Sequence, residues 1–349
     1  MPTICTFNVN NLYVRYKFGE TFPGDPSEKS AVDDPKQGYL PMYNPGSFEL
    51  FNPIQRELAA LALSRGGGKR PDVVILQEVE SLIALRTFNE EKLDAYYNNA
   101  LLIDSRDLRQ IDVGVLSRLP ILSTRTHVDD HDPQSTADQL FSRDCLEVTF
   151  ELPNDRRLTI FVNHLKSKFI GRDANTPAKR LAAKKRNDAK RKRQGRAIVR
   201  LLKERFPAPA WNHELFMVVG DLNDEPGSAS MEPVVTNSGL ENAIERIPNE
   251  ADRWTHWYRG ANTAGQLDYL LLSPALSAAT QGQLPVIERR GISFERMLQD
   301  GGIGPKKTRY QRRDEDPNPI PVDFRFKRFP LVSAKDYASD HCPVFFEVP

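Results

Sequence analysis

Short apolar runs that stop in amide, acid or imidazole side chains recur along the chain, and they predict its strands. Phe216–Val219 is too short for a helix and rich in valine, so it reads as a buried strand that ends at Asp221, Asn223 and Asp224. Gly220 marks the position where the backbone is expected to turn. The same construction appears in Thr3–Val9, ending in Asn8, Asn10 and Asn11, and in Asp72–Glu80, ending in Gln77 and Glu78. It returns in Arg157–Val162, which runs into Asn163 and His164, and in Gln266–Ser273, which carries Asp268. Ser339, Asp340 and His341 then form a polar corner feeding a last strand to Val348. For one such peptide, an Asx turn after a strand explains the polar end as well as a site does. Recurrence favours a site, because acids and amides delivered repeatedly to strand ends cost free energy if they are buried without purpose.

Between these runs the spacing changes. Ile54, Leu58, Leu61 and Ala62 recur at helical period within Pro53–Leu63, Leu82–Tyr97 reads as helical, and so does Met231–Ser238. Ile111–Leu116 is a strand followed by the Ser117–Pro120 turn, and Cys145–Glu151 pairs with Arg157–Val162 across the polar turn Pro153–Asp155. Trp254–Tyr258 is an aromatic strand, with Trp254, Trp257 and Tyr258 open to readings as core or as base-stacking surface. The pattern gives an α/β protein of one domain over 1–349, with insertions at about 17–47, 170–195 and 281–335. Gly66–Gly68 with Lys69 lacks the spacing and the hydroxyl of a P-loop.

Charge sharpens the picture at one place. Net charge is only +1 overall, yet Lys179–Arg205 holds 13 Lys or Arg against Asp188 and Glu204, a local net charge of +11. Ile198, Val199, Leu201 and Leu202 give its later part an apolar stripe, so it should be a helix with its basic face outward, suited to a polyanion. Lys306, Lys307, Arg309, Arg312 and Arg313 form a second basic group in the 281–335 insertion, expected as another wall of a groove. Cys5, Cys145 and Cys342 each sit in an apolar segment, as buried thiols of a reducing compartment do. The chain enters its first strand at Thr3 without a secretory leader and holds no bilayer-length apolar stretch, so a cytoplasmic protein without membrane insertion is expected. The pattern leaves oligomeric state open.

Oxygen donors such as Glu78, Asp340 and the Asn10 amide suit Mg²⁺ or Mn²⁺, whereas the cysteines fall outside any zinc-ligand spacing. Asp221 is able to take a proton from an attacking water, and the amides of Asn8, Asn163 and Asn223 donate hydrogen bonds without adding charge. The ordered set TFNVNNL, ILQEVE, VNHLKSK, VVGDLNDEP, QLDYLLLS and SDHCPV, from Thr3 to Val348, resembles the endonuclease/exonuclease/phosphatase family with its DNase I-like fold. The resemblance implies a four-layered α-β-β-α sandwich of two mainly antiparallel sheets. It implies that Glu78 is the principal metal ligand, with Asn10 and Asp340 completing or flanking the site, and that Asp221 and Asn223 position or activate water. It further implies that Asp268 orients His341 beside the scissile phosphate, that His164 is the second histidine of the DNase I-like branch, and that Asn8 is the asparagine of the first motif. Asn10 departs from the aspartate found there in the family's DNA-repair endonucleases. Asp112 is placed on a strand from which it would orient His164. Expected substrate contacts are Asn163, Lys166, Lys190, Arg191 and Arg193.

The family implied by the resemblance cleaves nucleic acids, inositol phosphates and sphingolipids. Arg253-Trp254-Thr255-His256 stands where inositol-polyphosphate 5-phosphatases carry a Trp-Cys-Asp-Arg type signature, and the leader and exposed apolar segments of sphingomyelinases are not evident. The favoured reading is therefore a Mg²⁺- or Mn²⁺-dependent phosphodiesterase, a nuclease acting on DNA or RNA by in-line attack of an activated water. A phosphatase of inositol phosphates, another phosphorylated small molecule or a lipid headgroup is the alternative. A catalytically silent nucleic-acid-binding relative is a third reading, opposed by the complete set Glu78, Asp221, Asn223 and His341.

Overall fold

The structure is a computed structural model that describes residues 1–16, 48–107, 109–132, 135–171, 173–258, 263–293, 322, 326–333 and 335–349. The insertion at 17–47 and the basic group from Lys306 to Arg313 lie outside the described residues. The elements used below are β1 (Thr3–Leu12), α1 (Pro53–Arg65), β2 (Val73–Val79), α2 (Leu82–Lys92), β3 (Asn99–Leu102), β4 (Asp112–Ser117), β5 (Ile121–Arg125), β6 (Cys145–Leu152), β7 (Arg156–His164) and α3 (Pro177–Arg205). They continue as β8 (Phe216–Asp221), β9 (Glu241–Asn242), β10 (His256–Tyr258), β11 (Thr263–Gly265), β12 (Asp268–Leu272), α4 (Pro274–Ala279), β13 (Val286–Ile287) and β14 (Val344–Glu347).

Two six-stranded sheets carry the fold, in the orders β13-β14-β1-β2-β4-β3 and β9-β12-β8-β7-β6-β5. Each contains one parallel pair, β1 with β2 and β7 with β8, among antiparallel neighbours. Strand alternation sorts the side chains into layers. Ile4, Val73 and Ile75 from the first sheet meet Val162, Met217, Val219 and Leu270 from the second in a core between the sheets. The opposite parity of the first sheet, with Phe7, Val74 and Leu76, packs under α1 and α2 through Leu58, Leu63 and Phe88. The opposite parity of the second, with Phe161, Phe216, Val218 and Leu271, packs under α3 through Ile198, Leu201 and Leu202. These three apolar strata make the four-layered sandwich that the sequence resemblance implies. All three cysteines are free and buried, and among the described residues no helix is long and apolar enough to cross a membrane.

Several elements differ from the sequence reading. Gly220 does not end its strand: β8 runs on to Asp221, and Gly220 adopts φ +133° where a Cβ would fall 2.0 Å from the Asn163 carbonyl oxygen. Close approach of β7, not a turn, demands glycine there. The helix expected to reach Tyr97 stops at Lys92, because Asp94 and Ala95 take positive φ and redirect the chain. Within the 281–335 insertion, Val286–Ile287 adds an edge strand to the first sheet. The region read as an insertion at 170–195 is largely part of a single 29-residue helix, α3, whose first turn is capped by Thr176, its hydroxyl accepting the Lys179 amide at 3.2 Å.

The underside of α3 corrects the expectation for the basic run. Arg191 is fully buried: its guanidinium pairs with Asp224 at 3.0 Å and with Asp188, and donates to the Lys166 carbonyl at 2.8 Å. Arg193 pairs with the buried Asp132 at 2.6 Å, and Lys190 stays half-buried at the surface. Arg191 and Arg193 are thus committed to internal partners and do not stand out as substrate contacts. The free outward cations are on the other turns, as at Lys185 and Arg186. Removing one partner of a buried pair leaves the other desolvated, so Arg191→Ala should lower stability by about 3 kcal/mol. Urea denaturation followed by circular dichroism checks this, and an unchanged midpoint would show that Lys168 alone suffices for Asp224.

Candidate active site

Strand register gathers the predicted polar residues. His164 of β7, Asp221 of β8 and Asp268 of β12 lie in one row of the second sheet, with His164 paired to Asp221 and Asp221 paired to Asp268. All three share parity with the residues of the inter-sheet core, so they end that core in polar groups. Asn8 arrives from the facing sheet on the same side and donates its amide to Asp221 Oδ2 at 3.1 Å. His341, in the corner before β14, places Nδ1 2.9 Å from Asp268 Oδ2 and Nε2 3.8 Å from Asp221 Oδ2. Asn223 donates its backbone amide to Asp221 Oδ1 at 2.8 Å and its side-chain amide to Asp221 Oδ2 at 3.1 Å. The first of these is an Asx turn, so the turn reading and the site reading of this peptide hold together.

Electrostatics follow from burial. Burial pushes the Asp221 carboxyl up to about 7 against the pull of the nearby His341 charge. For His341 burial acts downward, but the Asp268 and Asp221 carboxylates prevail and push it up to about 10. Burial, with Arg143 and His341 nearby, holds His164 well below its ordinary value, so this histidine is neutral. Its Nε2 lies 3.5 Å from Asp221 Oδ2. Thr255 fixes the back of the site, donating its hydroxyl to Asp268 Oδ2 at 2.7 Å and accepting the Asp268 amide at 3.0 Å.

A cavity of about 960 Å³ opens over this row, and Asn8, Glu78, Asp221, Asn223, Asp340 and His341 all line it. Glu78 reaches the wall because the ladder between β2 and its neighbours slips there: φ is +66° at Glu78, and the register shifts on both sides of β2. A bulge of this kind re-aims one side chain out of the strand's alternation, at a conformational cost that an ordinary glutamate does not bear without support. The support is local: Glu78 Oε2 accepts the Asn11 amide at 3.2 Å.

Other predicted residues lie outside the cavity wall. Asn163 has the parity of Phe161 and faces α3, its amide donating to the Phe161 carbonyl at 3.0 Å, so it does not orient a phosphate. Asn10 is not among the residues of the cavity wall; its side-chain oxygen accepts from Asn11 at 2.9 Å and its carbonyl accepts from Arg56. Lys166 contributes backbone, its N–H donating to Gln194 Oε1 at 3.0 Å and its carbonyl accepting from Arg191; burial and the neighbouring Arg143 pull its amine down to about 8. Asp112 does not orient His164; it accepts from Ser105, and burial raises it to about 6. His164 and Asp268 sit behind the wall and reach it through Asp221 and His341.

Three residues that the sequence reading left without a role join the site. His256 lines the cavity with Nε2 3.7 Å from Asp340 Oδ2 and its ring centroid 4.5 Å from that of His341. Its signal was a lone imidazole inside an aromatic run. Lys168 reaches the cavity and pairs with Asp224. Arg109 comes from the loop before β4, where nothing in the local pattern marks it.

The donor set fits a hard divalent cation. Glu78 and Asp340 offer carboxylate oxygens to one cavity; His256 and His341 stand within 4.8 Å of Asp340, but the proton that His341 keeps withholds it from a metal. The second compact group among the described residues is Asp221, Asp268 and His341, in which His341 is hydrogen-bonded to Asp268 and lies 3.8 Å from Asp221.

Compared by sequence with curated proteins, the chain finds no match. Among solved structures it is similar to sphingomyelinase C from Streptomyces griseocarneus, with a TM-score of 0.52 at 16% identity over 99% of this chain and 98% of that one. It is also similar to D. rerio TDP2 humanized by 14 mutations, with a TM-score of 0.51 at 16% identity over 99% and 97%. The mannosyl-6-phosphatase of Bacteroides thetaiotaomicron VPI-5482 superposes with a TM-score of 0.50 at 12% identity, covering 100% of both chains. At these identities the likeness shows the fold alone. The profile of the endonuclease/exonuclease/phosphatase family matches residues 5–341, nearly the whole chain, and the protein belongs to that family of phosphoester hydrolases.

Proposed function

We propose that this phosphoesterase is a divalent-metal-dependent phosphodiesterase that hydrolyses nucleic acid. The structural neighbours are named for different esters, so the preference comes from this chain's own surface. One observation carries it: the cavity wall is continuous with α3, since Lys184 and Asn187 line the cavity while Lys179, Lys185 and Arg186 stay exposed on the same half of the helix. A small phosphate ester needs cations only at the cavity, whereas a polyanion gains from a cationic surface extending beyond it. Arg109 adds a cation at the cavity itself.

In the reaction, Asp221 takes a proton from water as the water oxygen bonds phosphorus and the ester P–O bond opposite it breaks. Asn8 and Asn223 hold the Asp221 carboxylate in place. His341, kept protonated by Asp268, donates a hydrogen bond to a phosphoryl oxygen, and the leaving alkoxide is protonated by water in the open cavity. Glu78 and Asp340 would hold a divalent ion, which would supply charge neutralisation at the phosphate.

A panel of single-stranded and duplex DNA, RNA, inositol phosphates and sphingomyelin with Mg²⁺ or Mn²⁺ should give oligonucleotide products; release of inorganic phosphate alone would reject the nuclease assignment. Activity should vanish in chelator and return with either ion, and Glu78→Ala, Asp221→Asn and His341→Ala should each lower kcat by at least about 100-fold. In the pH profile of kcat/KM, deprotonation of Asp221 gives a rising limb near 7 and loss of the His341 proton a falling limb near 10. Asp268→Asn removes the negative partner of His341 and should move the falling limb to lower pH. For the helix, neutralising Lys184, Lys185 and Arg186 together should reduce the slope of log affinity against log salt by about 2; an unaltered slope would detach α3 from substrate binding.

A further inference from the structure

Arg56 occupies a position where the helical pattern asks for an apolar residue. It lies on the inner face of α1 in one stripe with Ala59, Ala60 and Leu63, and it is fully buried. Arg191, equally buried, is neutralised by Asp224 and Asp188. Arg56 instead directs its donors to backbone: Nη1 donates to the Val9 carbonyl at 2.8 Å and Nη2 to the Asn10 carbonyl at 3.2 Å, while Nε has no partner. Burial pulls the guanidinium down to about 10, and the charge that acts against that pull is Glu78. A desolvated cation held this way is costly, so what it holds has to need it.

The two carbonyls belong to the stretch where β1 leaves its ladder with β2. Asn8 pairs with Gln77 and Leu12 with Val79, and between these pairs Asn10 and Asn11 take φ of +51° and +61°. The Asn10 carbonyl and the Asn11 amide are the two ends of one planar peptide unit. Arg56 donates to its oxygen, and its N–H donates to Glu78 Oε2 at 3.2 Å. Cation, peptide dipole and carboxylate thus stand in series, each with its positive end toward the next negative one. A rigid plane fixed at the oxygen has its N–H aimed, and a charged donor at the carbonyl polarises that N–H toward stronger donation.

We propose that Arg56 is a positioning residue for the divalent-ion site, acting on Glu78 through the Asn10–Asn11 peptide plane. Satisfying two carbonyls does not by itself call for a charge, since a neutral donor or a buried water meets that need with less desolvation. A guanidinium adds a fixed fork of donors and a cation at the negative end of the peptide dipole. Glu78 sits at a bulge with φ +66°, where strand alternation no longer sets its direction and contacts of this kind do. The inference rests on the reading of Glu78 as a metal ligand and names what holds that ligand in place.

Electron paramagnetic resonance of free Mn²⁺, titrated into the full chain without substrate, reads ion affinity apart from turnover. Arg56→Lys, which keeps the charge and loses the fork, and Arg56→Gln, which keeps a donor and loses the charge, should each weaken binding by about tenfold. Leu276→Ala, in the core at the far end of β12 from Asp268, lowers stability without touching β1 and should keep the parent affinity. Circular dichroism confirms that each protein is folded during titration. In phosphoester hydrolysis the Arg56 variants should need about tenfold more Mn²⁺ for half-maximal rate and reach a saturated kcat within about twofold of the parent. Hydrogen exchange needs no substitution: in the parent the Asn11 amide should be protected although it has left the ladder, and rapid exchange overturns its link to Glu78. Affinity within about twofold of the parent in either folded Arg56 variant, or an equal loss in Leu276→Ala, also overturns the proposal. A parent that takes up no Mn²⁺ removes the metal reading of Glu78 and this proposal with it, whereas parent binding that is indifferent to Arg56 removes the proposal alone.

Discussion

Two carboxylates, Asp221 and Asp268, sit directly opposite each other on neighbouring strands, both out of solvent. Like charges in that position repel, and burial adds to the cost of ionising either. The fold resolves this by bringing a cation from the other sheet. His341, delivered by the corner before β14, stands with one ring nitrogen toward each acid, and their attraction raises its own proton affinity. Asp221 is left as the group whose proton is most easily exchanged. The arrangement holds only while the two sheets keep their mutual position, because the acids come from one and the imidazole from the other. Core and chemistry are therefore one structure: Met217, Val219 and Leu270 continue the same faces that end in Asp221 and Asp268.

The strand ends were legible because an apolar run that stops in acids has a local signature, and the six motifs lie in the row and corner that the site requires. What stayed hidden has physical causes. Asn163 and His164 are adjacent in sequence, yet alternation turns one to the helix layer and the other to the core, and no composition argument distinguishes them without a register. Asn10 and Glu78 lie at irregularities in adjoining strands, where positive φ values overturn alternation in opposite senses: one side chain is withdrawn and the other is brought to the cavity. His256 looked like a member of an aromatic strand, and only the bridge between β10 and the His341 corner makes it part of the site. The core itself was the most readable part, since periodicities of 2 and 3.6 record burial directly.

The basic helix shows the same limit in sharper form. Thirteen cations in one segment read as a single surface, but the helix has a buried side and some of those cations are on it. Arg191 and Gln194 reach beneath α3 to hold the backbone of Lys166, and Arg143 donates to the Leu165 carbonyl at 2.9 Å, as Asn223 does at 3.1 Å. The segment between His164 and Lys168 is thereby fixed through its carbonyls and amides by side chains from α3, β8 and the approach to β6. Charge in a sequence thus has two uses that composition does not separate: inward, it secures a loop; outward, it faces solvent.

Helix α3 therefore bears on the site from both sides, which sets a constraint on how the substrate is able to act. Its inner residues fix the loop that carries Lys168 and leads to Phe169, while its outer residues flank the same cavity. The hydrogen bonds made by Asp221, Asp268 and His341 within the chain favour a preorganised site. Buried ion pairs suit that purpose better than apolar packing of equal volume, because Asp224 accepts from Arg191, Ser230 and Lys168 in directions that a methyl group cannot specify. Substrate choice then falls to the groups that remain exposed at the cavity wall and along the outer side of α3.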